Sequence, residues 1–264
     1  MPRVSVIVPT FNRAGLLRQA LDSVQMQSLS DWECLVVDDG STDQTPDVVG
    51  ARAEADPRIR AVPIEHGGTP GRGRNAGIAG SRGELVAFLD DDDEWMPGKL
   101  ERQVSLLDAE PDAGLVFSRV ERFGDEHGTW PRVLPEKPGL RALLASNFIA
   151  CSTVVARRTA LEGAGPFDEG LPFAQDFDLW LRILRRGSIR GIPEVLARYR
   201  VDRARQAREL PAEREAVARI IEKFRDEVPA RFLRPWRRRV HRARARAAES
   251  FRESLAEWWK AITA

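Results

Sequence analysis

The sequence lacks the residue patterns of several large classes of protein. Only two of its 264 residues are cysteines, Cys34 and Cys151, and they lie too far apart for a disulfide framework or a cysteine-based metal motif. No apolar run approaches the ~20 residues that a membrane-spanning helix requires. The N-terminus enters an apolar stretch at residues 4–8 without the longer apolar region and cleavage site of a signal peptide. We therefore expect a cytoplasmic protein.

Motifs of several enzyme classes are also missing. There is no G-x-x-x-x-G-K-S/T run, which argues against a P-loop NTPase, and no G-x-S-x-G nucleophile elbow. Residues 71–77 read G-x-G-x-x-x-G and do not follow the first strand, so a Rossmann dehydrogenase is disfavoured. No histidine accompanies the acidic clusters at zinc-ligand spacing, which disfavours a zinc hydrolase.

Charge is distributed unevenly along the chain, although the net charge is only +1. Residues 201–264 hold 17 Lys and Arg against 10 Asp and Glu, whereas the preceding 200 residues hold 24 against 30. The two balances are +7 and −6. The tail is therefore compositionally distinct, and its charge suits an anionic surface.

The basic tail, residues 203–264, has the pattern of two amphipathic helices. The apolar faces comprise Val217, Ile220, Ile221, Phe224 and Val228 in the first, and Trp236, Val240, Ala247, Phe251, Leu255, Trp258 or Trp259, and Ile262 in the second. Two interpretations stay open. The helices pack on the domain or on a partner chain, as in a homodimer, or they make a peripheral contact with the inner face of an anionic membrane. Nucleic acid is disfavoured, because no recognised binding motif accompanies the arginines.

Strand and helix patterns alternate through the first 110 residues, which predicts an α/β fold with a parallel sheet and right-handed crossovers. The predicted strands are 4–8, 33–37, 60–64 and 85–89, followed by 115–120, 152–156 and 195–201. We expect Asn12 to cap the first helix and Pro97 to stand in the first turn of a helix that ends near residue 108. Residues 123–139 are predicted to be a loop or a hairpin.

Carboxylates follow two of these strands and open a later helix. Asp38 and Asp39 follow strand 33–37, four aspartates at 90–93 follow strand 85–89, and Asp176 and Asp178 open a helix at 176–186. The carboxyl ends of parallel strands share one rim, so the first two groups are expected to share a crevice. Crowded carboxylates repel one another unless a cation lies among them, and such oxygens favour Mg²⁺, Mn²⁺ or Ca²⁺. A solvated acidic turn is the alternative.

A divalent metal in this crevice would neutralise a diphosphate and stabilise it as a leaving group. Arg72 or Arg74 would add a guanidinium clamp. A carboxylate not committed to metal, such as Asp176, would serve as general base, and the helix dipole is expected to favour its ionised form and to keep its pKa modest. The alternative for Asp176 is a first-turn acid or helix cap without a catalytic role.

A series of segments carries a resemblance to a known family. They are VSVIVPTFNR at 4–13, VVDDGSTD at 36–43, RNAG at 74–77, FLDDDD at 88–93, FDE at 167–169 and QDFDLWLR at 175–182. Together they resemble the family-2 glycosyltransferases, inverting enzymes of the GT-A fold. The resemblance implies a mixed, mostly parallel sheet flanked by helices in a domain at 1–202. Residues 203–264 lie outside the resemblance, and their charge and periodicity alone predict a C-terminal helical extension.

The resemblance also implies the reaction and the residues that carry it. A sugar would pass from a nucleotide-sugar donor, expected to be a UDP-sugar, to a hydroxyl on a glycan, a lipid-linked glycan or a small molecule. The implied roles are a nucleotide pocket formed by Pro9, Thr10 and Phe11, base recognition by Asp39, base or diphosphate contact by Arg74, ribose or metal-bound water at Asp90 or Asp91, binding of Mn²⁺ or Mg²⁺ by Asp92 with Asp90 as a second candidate, and general base catalysis by Asp176.

Some positions depart from the family pattern or have two interpretations. Asp202 stands where many relatives carry a histidine, and position 175 is Gln where many carry Glu. Trp95 and Trp180 would stack on sugar or belong to the core, and we expect Asp93 to be structural. A nucleotidyltransferase would require a glycine-rich phosphate loop with Arg and Lys after the first strand, which residues 9–13 do not supply. A catalytically inactive sugar-nucleotide-binding or scaffold module is the other alternative, and the presence of all the expected acidic residues counts against it.

Overall fold

The computed structural model describes residues 1–227 of the chain. The chain divides into two compact units, Met1–Asp202 and Arg203–Ala264. The predicted second tail helix, with its arginines and tryptophans, lies outside the described residues.

The first unit alternates strands and helices and then becomes richer in strands. Its strands are β1 (Val4–Thr10), β2 (Trp32–Asp38), β3 (Ile59–Pro63), β4 (Leu85–Phe88), β5 (Glu94–Trp95), β6 (Ala113–Gly124), β7 (Gly128–Trp130), β8 (Val155–Arg157) and β9 (Ser188–Val201). Its helices are α1 (Ala14–Gln25), α2 (Thr45–Ala55), α3 (Pro70–Gly80), α4 (Lys99–Ala109), α5 (Leu140–Ala145), α6 (Arg158–Ala164) and α7 (Gln175–Arg186).

The strands of this unit form one mixed sheet in the order β3-β2-β1-β4-β8-β6-β9-β5, with β7 paired to β6. β1 is parallel to β2 and β4, and β2 is parallel to β3, whereas β8 runs antiparallel to β4 and β6. Strands β2 and β4 are buried throughout, as apolar runs covered on both faces should be. The register pairs Thr10 with Asp38, so the carboxyl ends of β1 and β2 meet at one rim.

Helix α3 packs unusually close to this sheet. A Cβ atom at Gly77 would lie 2.4 Å from Ile7 Cγ2, and one at Gly73 would lie 3.1 Å from Pro9 Cβ. Glycine at both positions therefore lets the helix backbone approach β1. This approach places Arg74, on the same helix, against the rim where β1 and β4 end.

Several local predictions are wrong at element ends. β1 continues through Pro9 to Thr10, two residues beyond the end predicted at residue 8. Asn12 has φ +52° and does not cap α1, because its Oδ1 accepts the Thr42 and Asp43 N–H groups of the loop after β2. Pro97 precedes Gly98, whose φ of +80° keeps both residues outside α4.

The second half of the first unit has more strand than its pattern predicts. Residues 151–153 form a 3-10 turn, so the strand predicted at 152–156 shortens to β8. The segment predicted as a loop or hairpin does form a hairpin, in which β7 pairs with β6. The two-residue strand β5 has no periodicity and was not predicted; it exists because Glu94 and Trp95 pair with β9.

The described part of the second unit is one helix and a short turn. Helix α8 spans Arg203–Lys223 and buries Ala216, Val217, Ile220 and Ile221 on one face. Phe224 follows in the turn and is also buried. No helix within residues 1–227 has the length and apolarity needed to cross a membrane.

Candidate active site

The four aspartates after β4 differ in what holds them. Asp90 Oδ1 accepts a bond from Arg74 Nη2 at 2.5 Å. Asp92 Oδ2 accepts one from Arg13 Nη1 at 2.7 Å, and the same nitrogen is 3.4 Å from Asp91 Oδ1. Asp90 and Asp92 are therefore neutralised separately, Asp90 by Arg74 within α3 and Asp92 by Arg13 directly before α1.

Asp93 is directed away from these cations. Its Oδ2 accepts a bond from Ser152 Oγ at 2.6 Å and its Oδ1 from the Arg200 N–H at 2.9 Å. The same Ser152 hydroxyl accepts the Asp90 N–H at 3.0 Å. Asp93 is 1% exposed, so it joins β9 and the 3-10 turn to the acidic segment rather than facing a ligand.

Burial changes the charge of this cluster. It raises the pKa of Asp91 to about 7, against the opposing effect of the Arg13 guanidinium. Burial and the neighbouring Asp92 carboxylate also raise the pKa of Asp93 well above its usual range. The segment therefore carries fewer negative charges near neutral pH than its four aspartates imply.

Asp176 lies in the first turn of α7 and is close enough to Arg74 and Asp90 for their charges to affect it. Its Oδ1 accepts the Phe177 N–H at 2.8 Å, which orients the carboxyl group. Burial raises the pKa of Asp176, and the Arg74 guanidinium opposes that rise. The prediction that the helix dipole keeps this pKa modest is wrong, because loss of solvation outweighs it.

Arg74 joins the acidic rim to the later part of the chain. Its side chain is 6% exposed, and its Cζ lies 5.5 Å from the centre of the Phe167 ring. The adjacent Asn75 exchanges two hydrogen bonds with the Phe167 backbone, at 2.9 and 3.0 Å. The predicted alternative clamp, Arg72, instead packs against the backbone of Gly67.

The base-binding residues predicted from the sequence meet at the ends of β1 and β2. Phe11 is 39% exposed, and its ring stacks on that of His66, with centroids 4.2 Å apart. The Asp39 carboxylate accepts the Gly67 and Gly68 N–H groups at 2.8 and 3.0 Å. Asp39 therefore anchors the loop at 66–68, and Phe11 and His66 present an aromatic surface beside it.

Trp95 and Trp180, for which the sequence left open either stacking on a sugar or a place in the core, both belong to the core. Trp95 is 2% exposed and donates from Nε1 to the Ser152 carbonyl at 2.7 Å. Trp180 is fully buried against Phe88 and Phe167. Neither ring presents a face for stacking on a sugar.

The fit of a divalent metal depends on Asp92. Among residues 1–227, no group of three or more His, Cys, Asp or Glu side chains forms a complete metal site. Asp92 Oδ2 already has a positive partner, since the Arg13 guanidinium lies 2.7 Å away. The second candidate ligand, Asp90, is bound to Arg74. Carboxylate oxygens are the ligand type that Mn²⁺ and Mg²⁺ prefer, so a metal that had Asp92 as its protein ligand would need its remaining ligands from a bound molecule.

Comparison with known proteins decides the family. Residues 5–163 match the profile of the family described as Glycosyl transferase family 2. The chain belongs to glycosyl transferase family 2. The predicted family and the predicted enzyme class are thereby confirmed, and a nucleotidyltransferase is set aside.

Bacterial relatives of this glycosyltransferase share about a third of its sequence. It is 32% identical over 204 residues to the putative teichuronic acid biosynthesis glycosyltransferase TuaG of Bacillus subtilis (strain 168), covering 76% of this chain and 79% of the relative. It is 32% identical over 189 residues to UDP-Glc:alpha-D-GlcNAc-diphosphoundecaprenol beta-1,3-glucosyltransferase WfgD of Escherichia coli, covering 72% of each chain.

Solved structures confirm the GT-A fold of the glycosyltransferase. S. aureus TarS 1-349, crystallised in complex with UDP, superposes with a TM-score of 0.69 at 21% identity, over 84% of this chain and 65% of that one. The mannosyltransferase PcManGT from Pyrobaculum calidifontis, in complex with GDP-Man and Mn²⁺, gives 0.69 at 27% identity, over 92% and 69%.

Several residues of the site were not singled out by the sequence. Arg13 contacts the acidic cluster, His66 stacks on Phe11, and Ser152 and Arg200 hold Asp93. Only His66 carried a local signal, since it opens the H-G-G turn after β3. The others act through contacts between segments that are distant in sequence.

Proposed function

We propose that this glycosyltransferase moves a sugar from a UDP-sugar to an acceptor hydroxyl with inversion, and that Asp176 is the general base. The observation that carries the proposal is the grouping of Asp176, Arg74 and Asp90 at the rim where β1 and β4 end. It brings together a half-buried carboxylate, a buried guanidinium and an acidic cluster. These are the parts needed to activate a hydroxyl and to bind a diphosphate.

At the donor end, the exposed ring of Phe11 would receive the base, with Pro9 and Thr10 lining the pocket. Asp39 would act on the base directly or through the loop at 66–68 that it holds. Arg74 would contact the diphosphate, and Asp90 or Asp91 the ribose. A UDP donor is supported by the likeness to a UDP complex and to a relative named for UDP-Glc.

A divalent metal, Mn²⁺ or Mg²⁺, bound at Asp92 would neutralise charge on the departing diphosphate. The likeness to a Mn²⁺ complex supports this part of the proposal. Asp90 remains the second candidate ligand. Arg74, oriented by its hydrogen bond to Asp90, would also stabilise the negative charge that develops on the diphosphate.

At the acceptor end, Asp176 would take the hydroxyl proton as the oxygen attacks the anomeric carbon. The new bond forms from that oxygen to the carbon, and the carbon–phosphate oxygen bond breaks, so the nucleoside diphosphate leaves and the configuration inverts. The raised pKa of Asp176 increases its basicity and suits this role.

The acceptor is proposed to be a lipid-linked glycan, because one relative is named for a diphosphoundecaprenol-linked substrate. The net positive charge of residues 201–264 is compatible with a peripheral contact at an anionic membrane. An assay comparing a diphosphoundecaprenol-linked sugar with the free sugar would test this assignment. Equal transfer to both would contradict it.

The general base is tested by Asp176→Asn, for which we expect transfer to fall by about 10²-fold or more while UDP binding is retained. The control is Asp47→Asn, since Asp47 is an exposed acid in the first turn of α2. If both variants keep full activity, Asp176 is a first-turn acid without a catalytic role.

Thermal stabilisation by UDP should require Mn²⁺ or Mg²⁺, and stabilisation that persists in EDTA would contradict the metal assignment.

A further inference from the structure

Arg13 lies across the two aspartates at the centre of the acidic cluster. Its Nη1 is 2.7 Å from Asp92 Oδ2 and 3.4 Å from Asp91 Oδ1. The Asp91 and Asp92 side chains are 10% and 9% exposed, whereas that of Arg13 is 30% exposed. The guanidinium is therefore the solvent-facing partner of a buried acidic pair, and it can leave toward water.

The backbone of Arg13 is held in place by hydrogen bonds at its carbonyl and at its N–H. Arg13 directly precedes α1, and its carbonyl accepts the N–H groups of Leu16 and Leu17 at 3.0 Å. Its own N–H donates to Thr45 Oγ1 at 3.1 Å. Movement of the guanidinium away from Asp92 would therefore have to come from the side chain, which is 30% exposed.

We propose that Arg13 is a displaceable counter-ion of Asp92, which occupies the metal-binding oxygen until a metal and a nucleoside diphosphate arrive together. This inference rests on the proposed function, which assigns the metal to Asp92. A metal bound ~2.1 Å from Oδ2 would stand close to a guanidinium that is held at the same oxygen. Two cations this close repel strongly where water is scarce, so the metal must displace Arg13.

The diphosphate offers the displaced guanidinium a new partner, because arginine pairs with phosphate as well as with carboxylate. Metal alone must therefore compete with Arg13 for Asp92. When a nucleoside diphosphate binds with the metal, Arg13 loses the Asp92 carboxylate as a partner but gains a phosphate. Metal and nucleotide should in consequence bind cooperatively, and the coupling is reciprocal. Removal of the Arg13 charge should tighten binding of metal alone and weaken the coupling.

The test measures Mn²⁺ affinity without turnover, from the electron paramagnetic resonance signal of free Mn²⁺, with no nucleotide, with UDP and with GDP. Arg13→Gln should bind Mn²⁺ alone about tenfold more tightly than the wild type, and nucleotide should then improve its affinity by a smaller factor than the 5- to 150-fold typical of coupled sites. The matched control is Arg18→Gln, because Arg18 is an exposed arginine of α1 and loses the same charge. It should behave like the wild type.

The outcomes separate this inference from the proposed function. If the wild type binds Mn²⁺ with nucleotide but Arg13→Gln matches Arg18→Gln, Arg13 does not compete at Asp92 and the proposed metal site stands. If the wild type binds no Mn²⁺ with either nucleotide, the metal assignment fails and the inference fails with it. Arg13→Lys retains the charge and covers the case in which Arg13→Gln does not fold. Near-wild-type Mn²⁺ affinity of Arg13→Lys supports displacement, and a large gain in affinity overturns it.

Discussion

Replacement of Gly77 by alanine tests the packing that brings α3 and Arg74 to the acidic rim. The added Cβ would lie 2.4 Å from Ile7 Cγ2 and 3.1 Å from Val37 Cγ2. Ile7 and Val37 are fully buried in β1 and β2, so neither can yield without disturbing the centre of the sheet. At an open helical position the same substitution would stabilise the protein by about 1 kcal/mol.

The size of the effect follows from these two opposing contributions. Overpacking of a buried site costs about 1–3 kcal/mol, and a contact as short as 2.4 Å points to the upper half of that range. Subtracting about 1 kcal/mol of helix propensity leaves a net loss of about 1–2 kcal/mol. For a chain of this size that lowers Tm by roughly 2–8 °C.

The assay is urea denaturation of the wild type, Gly77→Ala and Gly50→Ala. Gly50 is the matched control, because it lies inside α2 and an added Cβ there meets no atom within 4 Å. We expect the free energy of unfolding of Gly50→Ala to exceed that of the wild type by about 0.5–1 kcal/mol. Gly77→Ala should also bind UDP more weakly, since Arg74 lies one turn away on the displaced helix. If Gly77→Ala is as stable as Gly50→Ala, the close approach of α3 to β1 is refuted.

Three further predictions concern the site. Because burial raises the pKa of Asp176 above its ordinary 3.8, transfer should fall with decreasing pH in a limb centred above that value, and a limb at or below it in the kcat–pH profile would contradict the base assignment. Asp91 has a pKa of about 7 in the folded state against 3.8 in the unfolded state, so the free energy of unfolding should decrease as pH rises from about 4 to 7, by at most about 4 kcal/mol. Asp91→Asn should remove this decrease in urea titrations across that range. An equal decrease in the variant would show that Asp91 is not its source. Phe11→Ala should raise the KM for the donor several-fold and leave kcat within about twofold, since it removes the ring that stacks on His66; an unchanged KM would place the base elsewhere.

The sequence was sufficient for the fold wherever its periodicity reflects burial on both faces. Strands β1, β2 and β4 are short apolar runs, and the carboxylates after β2 and β4 reach one rim because parallel strands share an end. The sequence shows glycines at 73 and 77 in the helix before β4, but it does not show why glycine is needed there. Only the structure shows that a Cβ atom there would collide with Pro9 and Ile7.

The errors arose where a distant segment decides a local conformation. Asn12 has the residue type of a helix cap, but the amides of residues 42 and 43 take its side-chain oxygen. Asp176 was expected to have a modest pKa from its place in the first turn of a helix. Burial raises that pKa instead, and the degree of burial cannot be read from the sequence of one helix. Strand β5 consists of two residues whose only strand signal is their pairing with β9.

The four consecutive aspartates have three different sets of partners, because consecutive residues of a turn point in different directions. Asp90 faces Arg74 on α3, Asp92 faces Arg13 before α1, and Asp93 faces the interior at Ser152. Asp90, Asp91 and Asp92 lie beside arginines, whereas Asp93 is held by neutral donors, so the repulsion expected of the run is reduced. The proposed metal at Asp92 would therefore have to compete with the Arg13 charge already beside that carboxylate. Its binding would then depend on the phosphate that accompanies it.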